Sequence, residues 1–424
     1  MKDPHLTSII CKMGSFAPKL YELTFVFSQK YAILLKKQGV VIMLLIKNAH
    51  IKTMAGTELE RGCILIDSSG KIAQIADRIE APSGAKVIDA EGRLTTPGCV
   101  EAHCHIGLDN AGLRWEGADY NESTDPVTPH MRAIDSIYPQ DEYFACAVRG
   151  GVTTACTGPG SANVVGGTFA VIKLYGNRVD DMIVKEPAAM KCALGENPKN
   201  RYGQNKKSPA TRMASAALLR EVLFKAQAYC HEKDAGKEPK FDMKLEAMLP
   251  VMRKQIPLKC HAHRADDILT AIRIAKEFDV LLTLDHCTDG ACIADILALE
   301  GYPVISGPAL TAKSKPELAN KHFKTPGILH NAGIQLCITT DAPVTTLEYL
   351  PLCAGMAASE GLPMDAAWEA ITITPAKVLG VADRVGSLEV GKDADIVIWT
   401  ADPLTTIGGR SYITIINGKI VYQD

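Results

Sequence analysis

His103-Cys104-His105 and His261-Ala262-His263 set two imidazoles two residues apart, twice in one chain. On an extended strand, residues i and i+2 project from the same face, so each pair can turn two nitrogens toward one point. A third position, His286, follows the apolar run Leu281-Leu282-Thr283-Leu284-Asp285, and Asp341 follows Cys337-Ile338-Thr339-Thr340. The chain has 11 histidines, and these five gather at the ends of three short apolar runs. One HxH pair alone is a weak signal that two hydrogen-bonded strand-end histidines would satisfy. Burying all five with a carboxylate and no partner would be costly. A divalent cation removes that cost, because neutral imidazole and ionised carboxylate are its preferred ligands. Such a centre supports hydrolysis by an activated water, with Asp341 the best placed general base and His286 or His263 free to stabilise an oxyanion if not ligating.

If two ions bind, an anionic group must bridge them. The candidates are Glu196, in Ala193-Leu194-Gly195-Glu196-Asn197, and Lys173 or Lys191, either of which could be carboxylated. Glu196 is preferred because it follows the fourth apolar run at its C-terminal end, whereas both lysines lie inside runs.

The elements that must position these groups are β runs at 98–103, 152–156, 168–174, 188–194, 258–263, 281–285, 303–306 and 335–340. Helical periodicity at 210–229 and 266–278 lies between them. This alternation predicts a parallel sheet, and eight parallel strands favour a closed (β/α)8 TIM barrel of α/β class. Active groups in such barrels sit at the C-terminal ends of strands, where these residues fall. Both ends of the chain are β-rich instead: 44–48, 62–67, 72–75 and 86–89, then 394–400, 412–416 and 419–422, with Asn417-Gly418 as a hairpin turn. The expected organisation is a small β-sandwich built from 43–96 and 382–424, and a barrel over 97–381. Residues 1–42 mix apolar and basic residues and read as leader sequence before a natural start at Met43.

Hydrophobic residues make up 47% and charged residues 22%, as in ordinary globular proteins. A net charge of −2 gives no reason to expect nucleic acid or an anionic membrane as partner. No apolar run reaches the ~18 residues of a membrane-spanning helix. The 13 cysteines are scattered without CxxC pairs and read as reduced thiols of a cytoplasmic protein. The expected partners are a small-molecule substrate and further copies of the chain in a homo-oligomer.

Pro97-Gly98-Cys99-Val100-Glu101-Ala102-His103-Cys104-His105 resembles the first-strand motif of the amidohydrolase superfamily. Thr374-Pro375-Ala376-Lys377-Val378-Leu379-Gly380, followed by Gly386-Ser387-Leu388-Glu389-Val390-Gly391-Lys392-Asp393-Ala394-Asp395, resembles the segment by which such enzymes leave the barrel for their β domain. The likeness spans 43–424 and is nearest to imidazolonepropionase-like or dipeptidase-like branches. It implies that His103, His105 and Asp341 hold one metal, that His261 and His286 hold a second, and that Glu196 or a modified lysine bridges. His263 stands where relatives carry another polar residue, so the choice between His261 and His263 stays open. Zn is the default ion, with Mn, Fe or Co fitting the same ligands.

The long irregular stretch 110–132 and the glycine-rich 157–167 are expected to line the pocket. Of the basic residues in 198–212, Arg201 or Arg212, together with Arg264, could grip a substrate carboxylate. The activity expected is cleavage of an amide, cyclic amide or aminoacyl C–N bond. The alternatives are a one-metal deaminase of a ring amidine and an inactive barrel scaffold.

Overall fold

The computed structural model describes residues 43–424, and the expected leader lies outside the described residues. Two eight-stranded sheets carry the fold. The first takes strands from both ends of the described chain. Lys419–Gln423, Ser411–Ile416, Ile396–Trp399, Leu94–Pro97, Leu44–Lys52, Glu58–Ile66 and Ile72–Ala76 lie side by side in that order. Leu44–Lys52 changes neighbour along its length, pairing first with Lys86–Asp89 and then, at His50 and Ile51, with Leu94 and Thr95. The sheet encloses a core that includes Ile46, Ile51, Ile64, Ile66, Ile396 and Ile413, which is the expected β-sandwich. The Asn417-Gly418 turn has φ of 49° and 74°, the two positive values that a tight hairpin of the native twist requires.

The second sheet is the barrel. Its strands are β1 (Cys99–Cys104), β2 (Val152–Thr157), β3 (Val165–Lys173), β4 (Ile183–Ala193), β5 (Leu258–Ala262), β6 (Leu282–His286), β7 (Val304–Ser306) and β8 (Leu336–Ile338). They neighbour one another in chain order. The helix expected at 210–229 forms at Arg212–Asp234 and the one expected at 266–278 at Ala265–Phe278, and the second packs on β5, on β6 and on the first. No helix among the described residues is long and apolar enough to cross a membrane.

The strands are not all parallel, contrary to expectation. β3 runs antiparallel to both β2 and β4. A parallel return needs a crossover of about a dozen residues or more. The connections at 158–164 and 174–182 are too short, so the chain makes two hairpins there. The N-terminal end of β3 therefore shares the barrel mouth with the C-terminal ends of β2 and β4.

Side chains tie β8 back to β1. The buried Glu101 carboxylate accepts hydrogen bonds from the backbone N–H groups of His103 and Thr340, both 2.9 Å, and from the Thr340 hydroxyl at 2.7 Å. The Thr339 hydroxyl donates to the His103 carbonyl at 2.7 Å. The strand ends that carry His103 and Asp341 are thus fastened to each other by these hydrogen bonds.

The reversal of β3 also corrects the reading of Lys173. Lys173 pairs with Thr154 near the start of β2, at the end of the barrel opposite the histidines. Its Nζ lies 2.5 Å from Asp395 and 3.1 Å from Asp393, and all three side chains are buried. Removing one partner of a buried ion pair typically costs about 3–5 kcal/mol. Lys173→Met is expected to lower unfolding stability by about that amount, read by denaturant titration, with metal content unchanged. Loss of metal at unchanged stability would restore Lys173 as a bridge.

Candidate metal centre

β1 carries His103 next to its last residue and His105 follows directly after it, and both imidazoles turn into the barrel mouth. The His103 Nδ1 lies 3.1 Å from Asp285 Oδ2, and His105 Nδ1 lies 2.7 Å from the Gly158 carbonyl. The Gly158 carbonyl only accepts, so the His105 Nδ1 carries the proton and its Nε2 presents a lone pair. The His103 Nδ1 faces Asp285 without a hydrogen bond, and its Nε2 faces the Lys191 Nζ, a donor, at 3.4 Å and so presents a lone pair as well. Both Nε2 atoms lie 3.3 Å from Asp341 Oδ1, which itself has no hydrogen-bond donor. Three electron-rich atoms therefore face one another in a buried space. The donor set fits a divalent cation, which is what would make the arrangement favourable.

The local electrostatics keep His103 and Asp341 in ligand form. Burial, helped by the nearby Lys191 charge and opposed by Asp285, pushes His103 down to about 4. Burial alone would raise the Asp341 carboxyl, but His286, His103 and His105 outweigh it and hold the group well below the usual carboxylate range. Asp341 has φ of 52° and His286 of 77°, left-handed conformations rare for residues other than glycine. Backbone strain of this kind collects at functional sites, where the surrounding structure enforces it.

A second cluster joins His261, His263 and His286, with one ligand atom of each within 4.8 Å of the others. His286 donates from Nδ1 to the Gly307 carbonyl at 2.7 Å, which leaves a lone pair on Nε2. His263 Nδ1 meets the Thr288 hydroxyl at 2.8 Å. His261 Nδ1 is buried without a partner. Burial first, and the neighbouring positive groups after it, hold His261 and His263 well below the usual imidazole range.

Of the expected bridging groups, only Lys191 reaches the cluster. It is fully buried on β4, with Nζ 3.4 Å from His103 Nε2 and 3.7 Å from Asp285 Oδ2. Burial lowers its pKa against the opposing pull of Asp285. Glu196 is not brought in. It opens the helix Glu196–Gly203, its Oε1 accepts from Asn200 one turn on at 3.0 Å, and its backbone N–H donates to Glu317. An acidic residue in a first helical turn is favoured by the helix dipole, which accounts for its place without a ligand role.

The basic residues divide in the same way. Arg212 is held by Asp267 at 2.9 Å, and Arg264 forks onto Asp266 with two 3.0 Å bonds, so neither is presented to the cavity above the histidines. Arg201 does line that cavity, of about 470 Å³, with Tyr120, Asn197 and Lys315. It has no ion-pair partner among the described residues.

Sequence reasoning missed several groups. Asp285 is fully buried between Lys259, at 3.0 Å, and His103. Lys259, His103 and Lys191 overcome its burial and keep it ionised. Glu317 is buried with Oε1 3.8 Å from His261 Nε2, 3.7 Å from His263 Nε2 and 2.6 Å from Lys315. The signal for Asp285 and Lys259 was present, since each is a charged residue inside an otherwise apolar strand. Glu317 sits in the single-turn 3-10 helix Pro316–Leu318, outside the apolar runs, and carried no such signal.

The chain is similar to known proteins in sequence and in fold. A profile of the amidohydrolase family matches residues 94–421. The crystal structure of an amidohydrolase from Thermotoga maritima MSB8 superposes with a TM-score of 0.87 at 40% identity, covering 90% of this chain and 100% of that one. Amidohydrolase tasK of Hapsidospora irregularis is 28% identical over 394 residues, 86% of this chain but only 40% of that protein's length. A dihydroorotase from Anaeromyxobacter dehalogenans (strain 2CP-C) is 25% identical over 429 residues, covering 84% of this chain and 92% of its own. With 94–421 matched and a 40% identical structure covered end to end, the chain belongs to the amidohydrolase family, metal-dependent enzymes that hydrolyse C–N bonds.

Proposed function

We propose that the protein hydrolyses an amide, cyclic amide or aminoacyl C–N bond in a small molecule that carries a carboxylate, using two divalent ions. His103, His105 and Asp341 would hold one ion, His261 and His286 the other, and a carboxylated Lys191 would lie between them. The observation that carries the reading is the convergence of two Nε2 lone pairs on Asp341 Oδ1 at 3.3 Å. Zn is the first candidate, with Mn, Fe and Co compatible with the same donors.

When bound, such an ion lowers the pKa of water from 15.7 toward ~7 and polarises a carbonyl oxygen. Asp341, held ionised by its imidazole neighbours, takes the proton of the attacking water and returns it to the leaving nitrogen. His263 is better suited than His286 to steady the developing oxyanion. The Nδ1 of His286 is committed to donating to a carbonyl, so its Nε2 cannot also donate while the ring is neutral. The Nδ1 of His263 faces a hydroxyl that can donate to it, which leaves an Nε2–H for the oxyanion. The unpaired Arg201 on the cavity wall supplies the fork for a substrate carboxylate.

Metal analysis together with a screen of N-acyl amino acids, dipeptides and cyclic amides tests the reading. The expected result is two ions per chain, loss of turnover after chelation and dialysis, and recovery on adding back one of the four metals. Undiminished turnover by metal-free protein would overturn it.

A further inference from the structure

Next to the cavity above the histidines lies a larger one, of about 810 Å³. The two share a wall made by Tyr120, Asn121, Gly160 and Arg201. That wall is built rather than incidental. The Gly160 N–H donates to the Tyr120 carbonyl at 2.6 Å, and the Ala162 N–H donates to Asn121 Oδ1 at 2.9 Å. A Cβ at Gly160 would lie 2.6 Å from both Tyr120 and Asn121, so only glycine lets the two loops meet so closely. Tyr120 also lies over His105, with ring centroids 5.5 Å apart. A ligand crossing this wall would have one end at the histidines and the other in the larger space.

The lining of the larger cavity is electronegative. Glu116, Asp119, Glu122 and Asp135 face it, against Arg132 and Arg201. Arg132 is taken up by Glu186, with Nε 3.1 Å from its carboxylate. None of the four acids has a basic partner within ion-pair distance among the described residues, and hydrogen bonds from Thr124 hold Glu122 below the usual range. Trp115, on the same wall, is 90% exposed. An exposed indole among unpaired carboxylates is suited to an ammonium or guanidinium, through charge and through the ring face.

We infer that the larger cavity is a subsite for a positively charged arm of the substrate, with the scissile bond beside the histidines and the substrate carboxylate at Arg201. This assignment of substrate class rests on the proposed hydrolase reading, and its first test does not need turnover. The chain has 3 tryptophans, and Trp368 and Trp399 are buried, so exposed-indole fluorescence reports Trp115. The intact protein is titrated at low ionic strength, where such charges are least screened, with n-butylammonium, n-butanol and butyrate.

The expected result is a saturable shift of Trp115 emission by butylammonium at roughly tenfold or more lower concentration than by butanol or butyrate. That advantage should disappear in the double variant Glu116→Gln/Asp119→Asn, and the signal itself in Trp115→Phe. Equal titration by the three probes, no saturable response, or a butylammonium response that survives the double variant would each overturn the subsite. The second test compares N-acyl substrates of equal arm length, cationic against neutral, with kcat/KM expected to favour the cation about tenfold. Failure of all turnover with the fluorescence result intact would count against the hydrolase reading and not against the cation site.

Discussion

Asp341→Asn protein is expected to fold as the parent does and to lose about 10²–10⁴-fold in kcat, the range of a removed general base. Asparagine is the informative substitute for two reasons. Asp341 has φ of 52°, and asparagine tolerates left-handed backbone about as readily as aspartate, so the fold is spared. The amide also keeps an oxygen near the two Nε2 atoms, at 3.3 Å in the parent, but it cannot hold a proton at neutral pH. Circular dichroism and metal analysis should accompany the rate. Retained metal with lost turnover identifies proton transfer as the missing function. Loss of metal would instead show that the carboxylate charge is needed to hold the ion. A rate within tenfold of the parent on several amide substrates would remove Asp341 from the mechanism.

Much of this candidate site could be read in the sequence because side chains able to ligate a metal are few in kind and here fall at strand ends. The two HxH pairs, His286 and Asp341 were found from residue type and from the position of apolar runs. Parity along a strand is local information, so it survives without knowing the fold. Strand direction is not local in that sense. Lys173 and Lys191 look alike in sequence, each a lone lysine inside an apolar run. The reversal of β3 sends Lys173 to Asp393 and Asp395 at the far end of the barrel and leaves Lys191 beside His103. The runs read from sequence leave 157–167 and 175–187 between them, about the dozen residues a crossover needs, and only the longer strands of the structure shorten these to 158–164 and 174–182.

Glu196 failed for a different reason. It follows the correct strand at the correct end, but Gly195 turns the chain at φ 87° and Glu196 then starts a helix. Rotation about one residue decides which way a side chain faces there, and strand parity no longer applies. Asp285, Lys259 and Glu101 were visible as charged residues in apolar strands. Their partners come from other strands, so pairing them needed the closed barrel. Glu101 shows this most directly, because two of its three donors belong to Thr340.

Lys191→Ala is expected to weaken metal binding by about 10²-fold or more, beyond the 10–100-fold usual for a lost outer-shell partner, and to abolish turnover. The argument starts from burial. A lysine on β4 with no exposed surface pays heavily to stay charged, and its pKa is lowered accordingly. A neutral amine is the form that attacks CO2: the nitrogen lone pair forms the N–C bond, one N–H proton leaves, and the side chain becomes an anion. That anion would lie where His103 Nε2 is 3.4 Å from the parent nitrogen, and it would supply the negative charge that Glu196 does not bring to the site. Lys191→Arg separates this from a simpler role. If Lys191 served only as a cation for Asp285, 3.7 Å away, arginine would largely restore stability and metal content. Arginine keeps the charge but is not expected to form the carbamate, so it should be as deficient in metal as alanine. Native mass spectrometry of the parent should show one added CO2 that acid releases, absent from both variants. Full metal content in Lys191→Arg without that added mass would leave the two ions to be joined by some other group.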